Sequence, residues 1–533
     1  MRKKQSTPNK TRLIILFVIF LLINSQFVFA NDSENKWIAL TQEAVALFNQ
    51  GDYKKATFYA EKALQIAKEN SGSDYYAEAL SLKILADIYR VQSKFEIAEL
   101  LYNRALSFFE KSQNDNQSEI VSCLNGLGEL YRANEKYTEA EPFYIKTLAI
   151  RERQFGKIHP EVAIVLNNLG SLYRDMGKYE KAESFYKRSL SIKEKTMGSN
   201  SYSIGITLNN LAMVYKAQGD YPKVELFYTR ALTEYEKGSG SESLAVAMGL
   251  NNLGDLYITI ENYDKAEPLY KRSLAINEKL DGSNTISFAT GLNNLAEVYK
   301  GQRNYIQAET LYTNSLSIYI EILGEDNLYV ATTMNNLALL YCTKGDYEKA
   351  EPLYKQSWEI YKNGQTPGYP DLANNLSSLG DLYWAKKNYS QAELFYTRAL
   401  SVCEKDLGPD HIVVAKYLNK LALVYKNIGN YEEAKALYER SLLIREEAFG
   451  LDSLYVASSL NNLGLIYKLQ GDYEQAEEFY KRSLAILLNN FEETDPKVVV
   501  TQKNLVTLYR KRNLNAKADI LEAHIKSISK VNK

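Results

Sequence analysis

The side chains with the most chemistry to offer in this sequence are paired asparagines. Asn167-Asn168 recurs as Asn209-Asn210, Asn251-Asn252, Asn293-Asn294, Asn335-Asn336 and Asn461-Asn462, always in steps of 42 residues or a multiple of 42. A side-chain amide both donates and accepts, so a column of amides can pair with the backbone of an extended peptide whatever its sequence. Six residues after the second asparagine position stands a cation: Arg174, Lys216, Lys300, Lys426 or Lys468, with earlier and later copies at Arg90, Arg132 and Arg510. Amides beside cations suit an acidic peptide or a C-terminal carboxylate. Asn168, Asn210, Asn252, Asn294, Asn336 and Asn462, with Arg174, Lys216, Lys300, Lys426 and Lys468, therefore form the expected peptide-contacting set. The same pattern also has a purely structural explanation. The Asn167 column can bond across the seam between repeats, and Lys and Arg near a helix C-terminus are favoured by the helix dipole.

Other chemistry is sparse. The sequence has no phosphate-cradling glycine loop, no H-E-x-x-H and no G-x-S-x-G elbow. Its three histidines, His159, His411 and His524, lie far apart in sequence and leave little material for a metal site; no cofactor is expected. A recurrent glutamate (Glu183, Glu225, Glu267, Glu309, Glu351, Glu393, Glu477) falls early in a helix, where it complements the dipole rather than serving as a catalytic acid. Of the three cysteines, Cys342 and Cys403 sit in neighbouring repeats and read as buried thiols rather than a disulfide. The chain is not expected to be an enzyme.

The elements that must position these residues are themselves periodic. The stretch Leu166–Leu190, LNNLGSLYRDMGKYEKAESFYKRSL, returns throughout the chain. Gly170 is followed in steps of 42 by Ala212, Gly254, Ala296, Ala338, Gly380, Ala422 and Gly464, and Tyr173 and Ala182 recur in the same register. Leu166, Leu169, Gly170 and Tyr173 lie on one face of a first helix, and Ala182, Phe185, Tyr186 and Leu190 on one face of a second. Gly177 caps the turn between them. The small residues at 170 and 182 mark the closest approach of two antiparallel helices, where a larger side chain would force them apart. On the first helix, Asn168 points nearly opposite the core face and Asn167 lies on its flank. A single pair has too little apolar surface to stand alone, so neighbours must stack.

The pattern L-x-x-L-G/A-x-x-Y followed by G-x-Y-x-x-A-x-x-x-Y resembles the tetratricopeptide repeat. The 42-residue period, the paired Asn and the joint from Gly156 to Ala163 are similar to the kinesin light chain type of that repeat. The resemblance runs from about Glu34 to the C-terminus. It implies an all-α, right-handed superhelical solenoid of about twelve antiparallel helix pairs, with first helices lining a concave inner surface and Asn168 and its equivalents in that groove. It does not carry a function with it, since this scaffold hosts many unrelated partners. The cargo role of kinesin light chains does not transfer to an exported chain.

Length and charge fit this picture. A solenoid grows linearly, so 533 residues need not imply several globular domains. Most of the 42 tyrosines fall at repeat packing positions. Residues 1–30 hold five basic and no acidic residues, leaving 59 Lys and Arg against 65 Asp and Glu, a formal charge of −6, with no overall attraction to nucleic acid. Arg2, Lys3, Lys4, Lys10 and Arg12, the apolar run Leu13–Ile23 and the ending Val28-Phe29-Ala30 read as a secretory signal cut between Ala30 and Asn31. The rival reading is an uncleaved N-terminal anchor, but Asn24-Ser25-Gln26 interrupts a run already short for a bilayer.

The expected organisation is thus a signal peptide at 1–30 and a continuous solenoid at 31–533, with degenerate first and last units. The expected function is a periplasmic or secreted scaffold that holds a protein or peptide segment, without stable membrane insertion. The alternative is a structural or assembly protein of the cell envelope acting through its convex face or its ends, with the oligomeric state open. One joint, Asn363 to Pro370, departs from the usual link and reads as a tolerated surface loop, with a local kink or a partner contact as the alternatives.

Overall fold

A computed structural model of the protein describes residues 32–70, 75–112, 116–196, 201–363 and 369–531. The expected signal segment, its Ala30–Asn31 cut and residues 364–368 of the unusual joint lie outside them. Among the described residues there are twenty-four α-helices and no strand, ordered as antiparallel pairs. The pairs are α1 (Asp32–Gln50) with α2 (Tyr53–Asn70), α3 (Tyr76–Val91) with α4 (Phe95–Lys111), α5 (Gln117–Ala133) with α6 (Tyr137–Phe155), and α7 (Pro160–Asp175) with α8 (Tyr179–Thr196). Next come α9 (Ser201–Gln218) with α10 (Tyr221–Ser239), α13 (Ile286–Gly301) with α14 (Tyr305–Leu323), and α15 (Leu328–Lys344) with α16 (Tyr347–Asn363); α11 (Leu244–Thr259) and α12 (Tyr263–Asp281) stand between α10 and α13 in the chain. The last are α17 (Tyr369–Ala385) with α18 (Tyr389–Leu407), α19 (Val414–Ile428) with α20 (Tyr431–Phe449), α21 (Leu454–Gln470) with α22 (Tyr473–Asn490), and α23 (Pro496–Lys511) with α24 (Asn515–Val531). The chain divides into two compact units, one up to Leu256 and one from Tyr257. Each is an all-α solenoid in its own right.

Within each unit the core is built from one repeated contact. The small residue of the first helix faces a buried tyrosine of the second: Tyr144, Tyr186 and Tyr480 are fully buried. A Cβ added at Gly128, Gly170 or Gly464 would meet those rings at 2.9, 2.7 and 2.8 Å. The close approach anticipated at Gly170 is therefore filled by Tyr186. Gly177 closes its turn at φ +72°, with Lys178 N–H donating to Tyr173 O at 2.8 Å. Six such turns do without glycine and place Ser93, Glu135, Glu261, Arg303, Lys387 or Asn513 at positive φ.

Starts are equally local in origin. Pro160 and Pro496 open α7 and α23, and Nδ1 of His159 caps α7 by accepting from Glu161 N–H. A serine column that sequence inspection overlooked pins several of the pairs from inside. Ser189, Ser315 and Ser483 donate to the carbonyls of Ala163, Ala289 and Ala457 at 2.7, 2.8 and 2.8 Å. No helix among the described residues is long and apolar enough to cross a membrane.

Candidate protein-binding face

Several successive first helices touch one another (α1 with α3, α3 with α5, α7 with α9, α15 with α17, α21 with α23), whereas successive second helices make no comparable contact among the described residues. The side on which helices crowd is the inner side of a curved stack, so the first helices form the inner face within each unit. The joints between pairs are fastened by the recurrent glutamate. Tyr215, Tyr341, Tyr383 and Tyr425 on first helices donate to Glu183, Glu309, Glu351 and Glu393 on the preceding second helix at 2.7–2.8 Å. These carboxylates accept from the next repeat as well as facing their own helix dipole. Partial burial, reinforced by the carboxylate, pushes the hydroxyls of Tyr173, Tyr341 and Tyr425 up to about 12. Tyr173 also stacks on Phe185, its ring centroid 5.3 Å away.

The asparagines form a bonded ladder. Nδ2 of Asn168 donates to Oδ1 of Asn125 at 2.9 Å, that of Asn210 to Asn167 at 3.3 Å and that of Asn252 to Asn209 at 2.7 Å. In the second unit Asn336 donates to Asn293 at 3.4 Å and Asn504 to Asn461 at 3.0 Å. The helical wheel assigned the Asn168 column to open space and the Asn167 column to the seam. Instead, both columns share each seam bond, because neighbouring first helices lie within reach of an amide. Asn168, Asn210, Asn252, Asn294, Asn336 and Asn462 are all half-buried. One bond occupies one N–H of the donor amide; its second N–H and its oxygen point to further bonding capacity.

At α17 the ladder slips. Ser377-Ser378 occupy the usual positions, and the amide comes from Asn375, whose Nδ2 reaches Asn335 Oδ1 at 3.1 Å and Ser357 Oγ at 3.1 Å.

The cations do not form one uniform stripe. In the first unit Arg90 pairs with Glu129 at 3.1 Å, while Arg132 and Arg174 both meet Asp175 at 2.8 Å. Lys216 is exposed, and Lys300 pairs with Glu297 at 2.5 Å. Lys426 is half-buried, and Lys468 reaches the Thr507 hydroxyl at 3.4 Å. Burial holds both ammonium groups below their ordinary value, with Lys511 adding to the effect at Lys468. Two lysines were missed in the sequence. Lys420 stands where the Asn168 column passes through α19 and meets Asp381 at 2.5 Å; Lys416, one turn earlier, reaches Asn374 Oδ1 at 3.1 Å. Their positions in the 42-residue register were the signal that could have found them.

The remaining chemically active types have structural surroundings. Cys123, Cys342 and Cys403 are free thiols. Cys403 is buried as expected and Cys123 is buried too, but Cys342 is only half-buried, because its position on the first helix belongs to the cation column rather than the core. Burial pushes Cys123 up to about 12 and Cys342 up to about 11. His411 Nδ1 accepts from Val413 N–H just before α19, and His524 lies 3.2 Å from Glu493.

The tetratricopeptide repeat family profile matches residues 38–111, 120–195, 203–279, 287–363, 371–447, 413–489 and 455–522. No curated protein sequence matches the chain. Among solved structures the chain is similar to BtubC (BKLC) from P. vanneervenii, with 20% identity, TM-score 0.36, and coverage of 48% of this chain and 94% of that one. It is also similar to the apo quorum sensor NprR from B. thuringiensis, with 15% identity, TM-score 0.47, and coverage of 78% and 99%. Apo RapI matches at 13% identity and TM-score 0.48, covering 69% and 98%.

Proposed function

The chain belongs to the tetratricopeptide repeat family, whose members are protein-interaction scaffolds, and from that premise we propose that it is an exported scaffold which holds an extended peptide or protein segment along the inner face of its first helices. The observation that carries this reading is the half-buried amide ladder. Its seam bonds use a single N–H of each donor, so the same side chains that join the repeats can also pair with a strand-like segment laid across them. Export is supported by the basic start, the apolar run and the small-residue ending at Ala30. Repeats occupy nearly the whole chain after that point and leave no stretch of domain size for catalysis.

The test is a cross-linking capture with the purified protein beside a variant carrying Asn210→Ala, Asn252→Ala, Asn294→Ala and Asn336→Ala, used only if its helical signal and melting point are unchanged. Partners held by the native chain and lost by the variant support the groove. Identical partner sets for both chains would move the working surface to the outer face or the ends. Intact-mass measurement of the secreted chain tests cleavage after Ala30: a mass that retains residues 1–30 sinks the export reading as stated.

A further inference from the structure

Charge is segregated at the C-terminal end of the second unit. No Asp or Glu occurs anywhere in α19, α21 or α23, although these first helices carry Lys416, Lys420, Lys426, Lys468, Lys503 and Lys511. Their partner second helices are mixed: α20 alone holds Glu432, Glu433, Glu439, Glu446 and Glu447. On those second helices Arg440 pairs with Glu404 and Arg482 with Glu446, both at 2.6 Å.

On the inner side, Asp381 is the carboxylate that reaches the lysines, and it takes Lys420. Lys426, Lys468, Lys503 and Lys511 make no ion pair among the described residues. Like charges are even brought together: Lys511 presses on Lys468, and Lys420 on Lys416. Burial keeps the Lys416, Lys426 and Lys468 ammonium groups below their ordinary value, the expected response of a cation that has lost water without gaining an anion. The first unit's inner arginines, by contrast, have carboxylates at hand: Arg90 has Glu129, and Arg132 and Arg174 share Asp175.

We propose that the inner strip of α19, α21 and α23 is an anion-reading end of the groove that takes a carboxylate-rich segment of a partner protein. The proposal rests on the reading of the inner face as a peptide groove and adds to it a polarity: the acidic part of the bound segment lies over these three helices. A half-desolvated lysine without a counter-charge is an uncompensated cost in the free protein, and an incoming carboxylate removes it.

A protein segment is favoured over nucleic acid by the character of the strip. Aliphatic Leu423, Leu465 and Val500 lie between the lysines. The tyrosines flanking Lys426 and Arg510 are committed, Tyr425 donating to Glu393 and Tyr509 to Glu477, which withholds them as platforms for bases. The one arginine, Arg510, is engaged by Asp519 at 2.5 Å and Glu522 at 3.2 Å. The remaining lysines are point charges that suit dispersed carboxylates.

The experiment is fluorescence anisotropy with the full purified chain and three labelled probes: an octaglutamate peptide, an octaglutamine peptide and a single-stranded DNA octamer. The expected result is octaglutamate binding at least tenfold tighter than octaglutamine and weakening steeply with salt. The double variant Lys426→Gln/Lys468→Gln should lose tenfold or more for octaglutamate while melting no lower than the native chain. Lys271→Gln, on the second helix α12 where Lys271 pairs with Glu267, should leave that affinity unchanged. Equal binding by the native chain and the double variant overturns the proposal, as does a DNA octamer that binds more tightly than octaglutamate. Failure of octaglutamate to bind, while the asparagine variant still loses captured proteins, removes the anionic end and leaves the groove standing. Octaglutamate binding by the native chain that is lost in the lysine double variant, with protein capture unchanged in the asparagine variant, leaves the anionic end standing and removes the asparagine ladder as the capture surface.

Discussion

Glu351→Gln tests how one repeat is fastened to the next. Glu351 on α16 accepts from the Tyr383 hydroxyl at 2.7 Å on α17, and takes Lys355 Nζ at 2.7 Å and Lys386 Nζ at 2.8 Å. Those two ammonium groups, then the tyrosine, bring its carboxyl from 4.5 down to about 2. At about 1.4 kcal/mol per pKa unit this displacement corresponds to about 3 kcal/mol. Because the side chain is 21% exposed and water competes for both lysines, the expected contribution is ~1–2 kcal/mol.

The sign follows from a depressed carboxyl. Stabilisation is complete above the unfolded value near 4.5 and is lost as pH falls towards 2. Gln keeps an acceptor for Tyr383 and loses only the charge. The assay is urea unfolding followed through Trp358 and Trp384 fluorescence in a Trp37→Phe background. At pH 7 the variant should be ~1–2 kcal/mol less stable, and the gap should narrow by about half by pH 3. Glu348→Gln is the control: Glu348 is 91% exposed and 3.7 Å from Lys386, so its change should stay under ~0.5 kcal/mol. A Glu351→Gln gap below ~0.3 kcal/mol, or one constant from pH 7 to 3, would refute the reasoning.

Three further outcomes are expected. Gly170→Val should cost ~2–3 kcal/mol because its Cβ would lie 2.7 Å from the Tyr186 ring, and Tyr186→Leu in the same chain should return part of that; an unchanged melting point would refute the close approach. Lys193 is 3% exposed, bonds only Ser203 O at 3.1 Å and Thr207 Oγ1 at 2.8 Å, and is brought by burial from 10.5 to about 8. Its penalty is therefore full below pH 8 and relieved between pH 8 and 10.5, so Lys193→Met should gain ~1–2 kcal/mol at pH 7 in urea unfolding, and an advantage that fails to shrink by pH 10 would count against this account. Lys387→Gly, at φ +58°, should raise stability by ~0.5–1 kcal/mol, whereas Gly177→Ala, at φ +72°, should lower it by a similar amount; melts of the same sign would contradict the turn geometry.

Much of the site was already legible along the chain. Asn168, Asn210, Asn252 and Asn336 were identified from their register, and the structure places each of them on the inner, first-helix side of its stack. What spacing could not supply was the bond each one makes. Asn168 and Asn125 are 43 residues apart, and their 2.9 Å contact depends on how closely α5 and α7 pack. The glutamate column was read from its own helix alone, so its bond to the tyrosine of the next repeat went unseen. The cation column was treated as uniform for the same reason. Arg132 and Lys426 occupy equivalent positions, yet one is neutralised by Asp175 from the following helix and the other is not.

The sequence by itself determined the helix pairs, their turns and the small-residue-against-tyrosine core. Those features are set by 3.6-residue periodicity and by contacts inside one 42-residue unit, and the unit is written out many times. The tertiary structure decided which amide holds which, which carboxylate fastens the next repeat and which lysines are left without an anion. Each of these depends on the distance between side chains of different repeats. A helical wheel gives the direction in which a side chain leaves its helix; only stacking determines what it meets there.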